Sequence, residues 1–347
     1  MINYKINDAY NDFSGLNPYV VIIGASNSLM KDGWGYFFKK EFSENYDVIN
    51  LSLGATSSVY ISYVVSQNKK LLSNAKFVIF EPFVNDVSFY KVSLSHTVLE
   101  LALSYYYSFM STVNSNFIVL LLPTKKRINN ISANNVYKMH LFFSKFYGAF
   151  VVDCHPFFYK NGHLLDHAFK DDAHLSPEFS FIAAKNVAEV INSDFFRSRS
   201  RVVNADYEDN IKVLSVSTTN DLELRNSSYF SVSVSTKSCI NIKMSRDYIL
   251  GGILHWFNMQ NNFIDIFGSG FYQKVNLRSV FLKMSSFPFL CTGPVKISLT
   301  GGIGVSEVVF FKRKYLLDSM TRYSLKPSEV NHMYTYLDVC FSQNMEM

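Results

Sequence analysis

A serine hydroxyl attacks a carbonyl only after a base removes its proton, and the base works best when a third group fixes its tautomer. Two short runs of this chain offer all three groups. Ser26 stands in Gly24-Ala25-Ser26-Asn27-Ser28, directly after the β-forming run Tyr19-Val20-Val21-Ile22-Ile23. Asp171 and His174 stand in Asp171-Asp172-Ala173-His174. His174 is placed to take the proton of Ser26, and Asp171, three residues earlier, to hold the other ring nitrogen; Asp172 competes for that role. The negative oxygen that forms on the attacked carbonyl must then meet donors. The N–H of Ser26 is one. Gly54, in Leu51-Ser52-Leu53-Gly54-Ala55, lets a second backbone N–H approach a ligand closely. Asn85, in Glu81-Pro82-Phe83-Val84-Asn85-Asp86, supplies a side-chain amide.

Each of these residues also has a plainer reading. Ser26 can cap a helix that follows a strand, the commonest task for a serine there. Ser28 reads better as a cap or turn than as a nucleophile. Gly54 can be only a turn residue, and Asn85-Asp86 an Asx turn, with Asp86 a structural partner. His174 is one of eight histidines, and its spacing from Asp171 sets it above His140, His155, His163 and His167. His163, His167, Asp171 and His174 gather several metal-ligand types. They contain no tight pair of the H-E-x-x-H kind, so no metal site is predicted. Trp256, His255, Phe271 and Tyr272 have rings that can stack on sugar faces, but core packing is the commoner use of such residues.

The elements that must position these groups are legible in the patterning. Candidate strands at Tyr19 to Ile23, Asp47 to Leu51, Phe77 to Glu81, Phe117 to Leu122 and Phe150 to Asp153 alternate with helical patterns. The helical patterns lie at Gly33 to Phe42, Ser58 to Leu72, Thr97 to Phe109, Val136 to Phe146 and Pro177 to Ile191, the last with Ser176 placed to cap it. Short apolar runs interleaved with helices predict a doubly wound parallel sheet of five strands. Ser26, Gly54 and Asn85 then follow successive strands, at the carboxyl edge where such sheets bind ligands.

Around Asn192 the text turns polar and basic, through Arg197-Ser198-Arg199-Ser200-Arg201. Residues 1–195 read as one α/β domain, 196–205 as a linker and 206–347 as an all-β domain. In the last part Ile211 to Val216, Tyr229 to Val234, Ile240 to Met244, Val295 to Leu299 and Val308 to Phe311 are strand-like. Asn226, Gly251-Gly252, Gly268 to Gly270, Gly293-Pro294 and Gly301-Gly302 supply turn signals. Many short strands between turns predict a β-sandwich or jelly roll. The tail from about Lys326 reads as one short helix at most.

The composition narrows the class. Hydrophobic residues make up 48% of 347, ample for a packed core, and the net charge of +5 is spread without a basic block. A nucleic-acid partner would show a denser basic stripe. The start of the chain lacks a signal-peptide pattern, and no apolar run nears the ~20 residues that span a bilayer. Cys154, Cys239, Cys291 and Cys340 are scattered and read as reduced thiols. A cytoplasmic protein is the expectation.

Serine after the first strand, glycine after the second, asparagine after the third, and Asp-x-x-His before the last helix resembles the SGNH (GDSL) hydrolase and acyltransferase family. The resemblance covers roughly the first 190 residues. Two blocks depart from the family pattern: Ala25 stands where Gly-Asp-Ser has aspartate, and Phe83 where Gly-x-Asn-Asp has glycine. The final block is intact and runs on as Leu175-Ser176-Pro177. The resemblance implies a flavodoxin-like sheet, and an acyl-enzyme on Ser26 with His174 as base and Asp171 orienting it. It also implies an oxyanion hole of Ser26, Gly54 and Asn85, with no bound cofactor. It includes carbohydrate O-acetyl esterases and polysaccharide O-acetyltransferases, so O-acetyl chemistry on a bacterial surface polysaccharide or its precursor is the expected activity. Acetyl-CoA is the donor that a cytoplasmic location would supply. A lipase- or thioesterase-like hydrolase, and a non-catalytic scaffold with a glycan-binding β-domain, are the rival expectations.

Overall fold

A computed structural model of the protein describes residues 4–6, 17–127, 134–156, 165–193, 210–216, 222–226, 230–236, 239–256, 262–268, 271–277, 282–300 and 303–313. After a short first strand, β1 (Tyr4–Ile6), five strands make a parallel sheet: β2 (Tyr19–Gly24), β3 (Asp47–Asn50), β4 (Phe77–Glu81), β5 (Asn116–Leu121) and β6 (Phe150–Asp153). Their order is β3-β2-β4-β5-β6. Counted from β2 this is the flavodoxin-like order 2-1-3-4-5, whose ligand crevice lies at the carboxyl ends of the strands where the winding reverses, here between β2 and β4.

The strands read as unbroken apolar runs because both faces are covered. Val20, Ile22, Ile79, Ile118, Leu120 and Val152 pack against α2 (Trp34–Phe42) and the helix Pro177–Asn192, through Trp34, Phe38, Phe179, Ala183 and Val187. Val21, Ile23, Val78, Phe80, Val119 and Leu121 face the other layer. That layer holds α3 (Ser58–Gln67), α6 (His96–Thr112) and α7 (Asn135–Tyr147). The short helices α1 (Ser26–Leu29), α4 (Lys69–Asn74) and α5 (Phe83–Phe89) complete the layers up to α7, and Pro177–Asn192 is α8. Ser176 caps α8, accepting from the Phe179 N–H at 3.5 Å, with Pro177 at the first position.

The continuous helix expected over Ser58 to Leu72 is broken. Asn68 turns its side-chain amide back onto the Val64 carbonyl at 2.7 Å, and its own N–H onto the Val64 and Val65 carbonyls. This local competition ends α3 and lets α4 start afresh.

The second half forms two antiparallel sheets. The larger joins β1 to β9 (Phe230–Ser235), β16 (Gly304–Lys312), β11 (Tyr248–Trp256) and β14 (Lys283–Ser286), with β7 (Ile211–Ser215) on β16 and β8 (Leu222–Asn226) on β9. The smaller is β10 (Cys239–Ile242), β15 (Val295–Thr300), β12 (Asn262–Gly268) and β13 (Phe271–Leu277). Leu250, Ile253, Val308 and Phe310 meet Ile264, Ile266, Ile297 and Leu299 between the sheets, which is the sandwich expected.

Three findings go beyond the sequence reading. The first strand of the chain pairs with β9, so Tyr4–Ile6 lies in the β-rich half and not beside the parallel sheet. The outer face of the larger sheet packs Ile249, Leu254, Trp256, Val309 and Phe311 into the same apolar cluster as Tyr60, Val64 and Leu99 of α3 and α6. Gly251-Gly252, expected at a turn, lies inside β11. A Cβ on Gly251 would fall 2.4 Å from the Phe311 ring, and one on Gly252 would fall 2.9 Å from Val59 Cγ1. The pair is there for close approach at a bulge, not for a reversal of the chain.

Gly293, with φ of 78°, does make the expected turn. The expected linker at 196–205, Gly301-Gly302 and the tail from Lys326 lie outside the described residues. Cys154, Cys239 and Cys291 are free thiols; Cys340 is likewise outside the described residues. No helix among the described residues is long and apolar enough to cross a membrane.

Candidate active site

β2 ends at Gly24, and the chain turns through Ala25 into α1, whose first residue is Ser26. The capping residue of α1 is Ala25, which has no polar side chain to offer, so Ser26 is not a cap. Its hydroxyl instead lies 2.7 Å from His174 Nε2. His174 Nδ1 lies 2.7 Å from Asp171 Oδ2. The second Asp171 oxygen accepts the N–H groups of Ala173 and His174, each at 2.9 Å. Burial alone would raise the Asp171 carboxyl, but the hydrogen bonds from the His174 ring and from these two N–H groups outweigh it and hold it below the usual range.

The structure also separates the two aspartates. Asp172 points away and pairs with Lys126, while its carbonyl accepts from Lys125 N–H. The residue on the imidazole is Asp171.

Gly54 and Asn85 follow the neighbouring strands β3 and β4. Gly54 opens the turn after β3, held near the Ser26 turn because Leu53 N–H donates to the Gly24 carbonyl at 3.1 Å. A Cβ on Gly54 would meet nothing within 4 Å. The left-handed residue of this turn is Ala55, at φ of 54°. Asn85 lies in the first turns of α5, mostly buried, and one amide proton goes to the Thr56 carbonyl at 2.8 Å. Asn85 and Gly54 are thus tied through one loop. Asp86 is fully buried: it accepts from Ser58 N–H at 2.8 Å and Ser58 Oγ at 2.5 Å, and faces His140 Nε2 at 3.0 Å. It fastens the start of α3, and with it that loop, to α5 and α7. Asn85-Asp86 therefore belongs to a helix, not to the Asx turn that was the plain alternative.

Ser28, read from sequence as a cap or turn, is neither. It is fully buried, donates to Glu81 Oε2 at 2.9 Å and accepts from Trp34 Nε1 at 2.9 Å. Glu81, the last residue of β4, also accepts from Ala25 N–H at 3.3 Å. Burial pushes its carboxyl up to about 8, against hydrogen bonds from Ser28 and Ala25 N–H that favour the charged form. Glu81 and Asn27 are the site residues that sequence reasoning missed; their partners lie across the fold, where spacing gives no signal.

Of the remaining candidates, His140 and His155 are buried beside Asp86 and Asp153 and pack on Phe83. His167 is exposed and His163 lies outside the described residues. His255 and Trp256 are core; burial pushes the His255 ring down to about 3. Phe271 packs on Phe289. Tyr272 is exposed, with Phe267 beside it at 5.0 Å between ring centroids.

A serine, an imidazole and a carboxylate joined in sequence at the switch point of a 2-1-3-4-5 sheet define a class: an α/β protein with a triad of the serine-hydrolase type. Several solved structures are similar to about half of this chain. One is a member of the lipolytic G-D-S-L family from Veillonella parvula, 14% identical, covering 50% of this chain and 97% of that one, with a TM-score of 0.41. An acetylxylan esterase from Geobacillus stearothermophilus is 14% identical over 52% of this chain and 97% of its own, with a TM-score of 0.41. The catalytic domain of Streptococcus pneumoniae peptidoglycan O-acetyltransferase A is 10% identical over 50% of this chain and 92% of its own, with a TM-score of 0.38. No family model and no curated protein matches the chain.

Proposed function

We propose that the protein is a serine-dependent acyl-transfer enzyme working through an ester on Ser26. The observation that carries this is the unbroken chain Ser26–His174–Asp171, with both links at 2.7 Å. His174 Nε2 takes the hydroxyl proton as Ser26 Oγ bonds to the substrate carbonyl carbon. The carbonyl oxygen becomes an oxyanion, met by the N–H groups of Ser26 and Gly54 and by the remaining amide proton of Asn85. As the intermediate collapses, the leaving oxygen or sulfur takes the proton from His174, and the acyl group stays on Ser26. A second nucleophile, water or a sugar hydroxyl, then gives its proton to His174 as it bonds to the acyl carbon; the bond to Ser26 Oγ breaks, and Oγ takes that proton back from His174.

The substrate reading is O-acetyl chemistry on a bacterial surface polysaccharide or its precursor, in the cytoplasm, with acetyl-CoA as donor. Its support is the resemblance of the four sequence blocks to a family that includes such enzymes, together with a β-sandwich whose outer face exposes Phe267 and Tyr272, rings suited to a sugar face. The reading needs neither a metal nor a redox cofactor.

A fluorophosphonate probe tests the chemistry. The protein is expected to gain the mass of one phosphonyl group, and the Ser26→Ala protein none. An unlabelled wild type overturns the proposal. Mass spectrometry of candidate glycans incubated with acetyl-CoA then separates transfer from hydrolysis: gain of acetyl groups supports transfer, and loss without gain supports the esterase.

A further inference from the structure

Ser26 and Asn27 are consecutive residues of α1, and both address His174. The Ser26 hydroxyl meets the imidazole. The Asn27 carboxamide meets the backbone on either side of it: Nδ2 donates to the Ala173 carbonyl at 3.1 Å, and Oδ1 accepts from Leu175 N–H at 3.2 Å. Those groups belong to the two peptide units that flank the His174 Cα. Asn27 is 1% exposed, so the pair is made out of water. Its orientation is forced, since a flipped amide would set N–H against N–H and oxygen against oxygen.

The other ties between this loop and its surroundings differ in kind. Lys170 pairs with Asp32, and Asp172 with Lys126, both at the surface where ion pairs hold little. The Lys170 N–H to His174 carbonyl bond closes the loop on itself and does not reach the nucleophile turn. Asp171 orients the ring from within the same loop. Only Asn27, among these, is a buried link between the segment bearing the base and the segment bearing the nucleophile.

We infer that Asn27 is a positioning residue: by clasping both peptide units around His174, it sets the distance at which the imidazole meets Ser26. The inference rests on the reading of Ser26 as nucleophile. A misplacement of about 1 Å between reacting groups can cost about 10²-fold in rate. A carboxamide is well suited to the task because it carries a donor and an acceptor on one rigid plane. Aspartate at this position would keep the acceptor for Leu175 and set an oxygen against the Ala173 carbonyl.

The full chain is labelled with a fluorophosphonate as wild type, Asn27→Ala and Asn27→Asp, and the ¹⁵N resonances of the His174 ring are recorded for each. In both variants the maximal labelling rate is expected to fall about 10- to 10²-fold while the half-saturating probe concentration stays within about twofold. The His174 ring resonances are expected to shift towards those of a free imidazole. A loss of stability alone would move neither the ring signature of the folded protein nor the rate at full folding. Should Asn27→Ala not fold, Asn27→Asp carries the same comparison. Wild-type rate and ring shifts in the variants would overturn the inference. If the wild type itself is not labelled, the nucleophile reading falls, and the ring spectra alone decide whether Asn27 sets His174.

Discussion

Ser28 and Glu81 share a buried hydrogen bond of 2.9 Å beside the Ser26 turn, although 53 residues separate them in the chain. The carboxyl that makes it is fully enclosed, and its second oxygen has no partner among the described residues. Burial lifts it from 4.5 to about 8, so the folded protein binds this proton more tightly than the unfolded chain. The stability it confers is complete below about pH 4.5 and is lost as pH rises through about 8. Denaturant midpoints measured between pH 5 and pH 9 are expected to fall for the wild type. Glu81→Gln keeps the shape and an acceptor for Ser28 but does not titrate, and should flatten that slope, by an amount on the order of a few kcal/mol. Parallel slopes in the two proteins would show that Glu81 is not the group responsible.

The two adjacent aspartates of the His174 loop make a controlled comparison. Asp171 accepts from the His174 ring and from two N–H groups; Asp172 pairs with an exposed lysine. Asp171→Asn removes the acceptor that fixes the tautomer, and the rate of Ser26 labelling is expected to fall by about 10³- to 10⁴-fold. Asp172→Asn should leave it within about twofold, as an exposed ion pair contributes about 0–1 kcal/mol. Equal losses would mean that the loop, and not the Asp171 carboxylate, is what His174 requires.

What the sequence disclosed about this molecule is what is written locally. Tyr19 to Ile23 and Phe77 to Phe80 are unbroken runs of large β-forming residues because both faces of a parallel strand are covered, and such runs are visible without a structure. Ser26, Gly54 and Asn85 are visible because each follows such a run, and Asp171 to His174 because both groups sit in one loop. Glu81 looks like the last residue of a strand until Ser28 and Ala25 are seen against it. Asn27 looks like a helix residue until Ala173 and Leu175 are brought to it. Gly251-Gly252 was misread for the same reason: the side chains that exclude a Cβ there, Phe311 and Val59, come from elements far along the chain. Tyr4–Ile6 was unreadable because its partner strand is more than 220 residues away.

Asn85 has two tasks that substitution can separate. One amide proton ties the Gly54 loop through Thr56, and the other is assigned to the oxyanion. Loss of one oxyanion donor costs about 10²- to 10³-fold in rate. Asn85→Ala is expected to lose that much with a small activated ester. Thr56→Gly keeps the carbonyl that Asn85 holds and should lose less than about tenfold. If Asn85→Ala retains full activity, the oxyanion is held by the backbone alone.

Tyr272 stands on the outer face of the smaller sheet, 56% exposed, with its hydroxyl donating to Asp265 at 2.9 Å and Phe267 beside it. If the β half holds a glycan, stacking on this pair carries it, at about 1 kcal/mol or more for an aromatic platform. Tyr272→Ala is expected to raise the half-saturating concentration of a polymeric substrate about fivefold or more and to leave fluorophosphonate labelling of Ser26 unchanged. A change in labelling instead would place the effect of Tyr272 on the fold and not on the glycan.

The β half also braces the site from behind. Gly252 of β11 lies so close to Val59 of α3 that a methyl group would approach Val59 Cγ1 to 2.9 Å and Met284 Sδ to 3.0 Å. Val59 follows Ser58, whose N–H and hydroxyl are fastened to Asp86, and the Gly54 loop runs straight into this start of α3. Gly252→Ala must therefore crowd the Val59 side chain at the start of α3, the Met284 sulfur and the Ser285 carbonyl. Overpacking of this kind costs about 1–3 kcal/mol, and the displacement falls on the loop that holds Gly54 and Thr56. The expected outcome is a lower melting temperature together with slower Ser26 labelling under conditions where the variant is fully folded. Retained labelling in a destabilised variant would mean that β11 supports the fold without reaching the oxyanion loop.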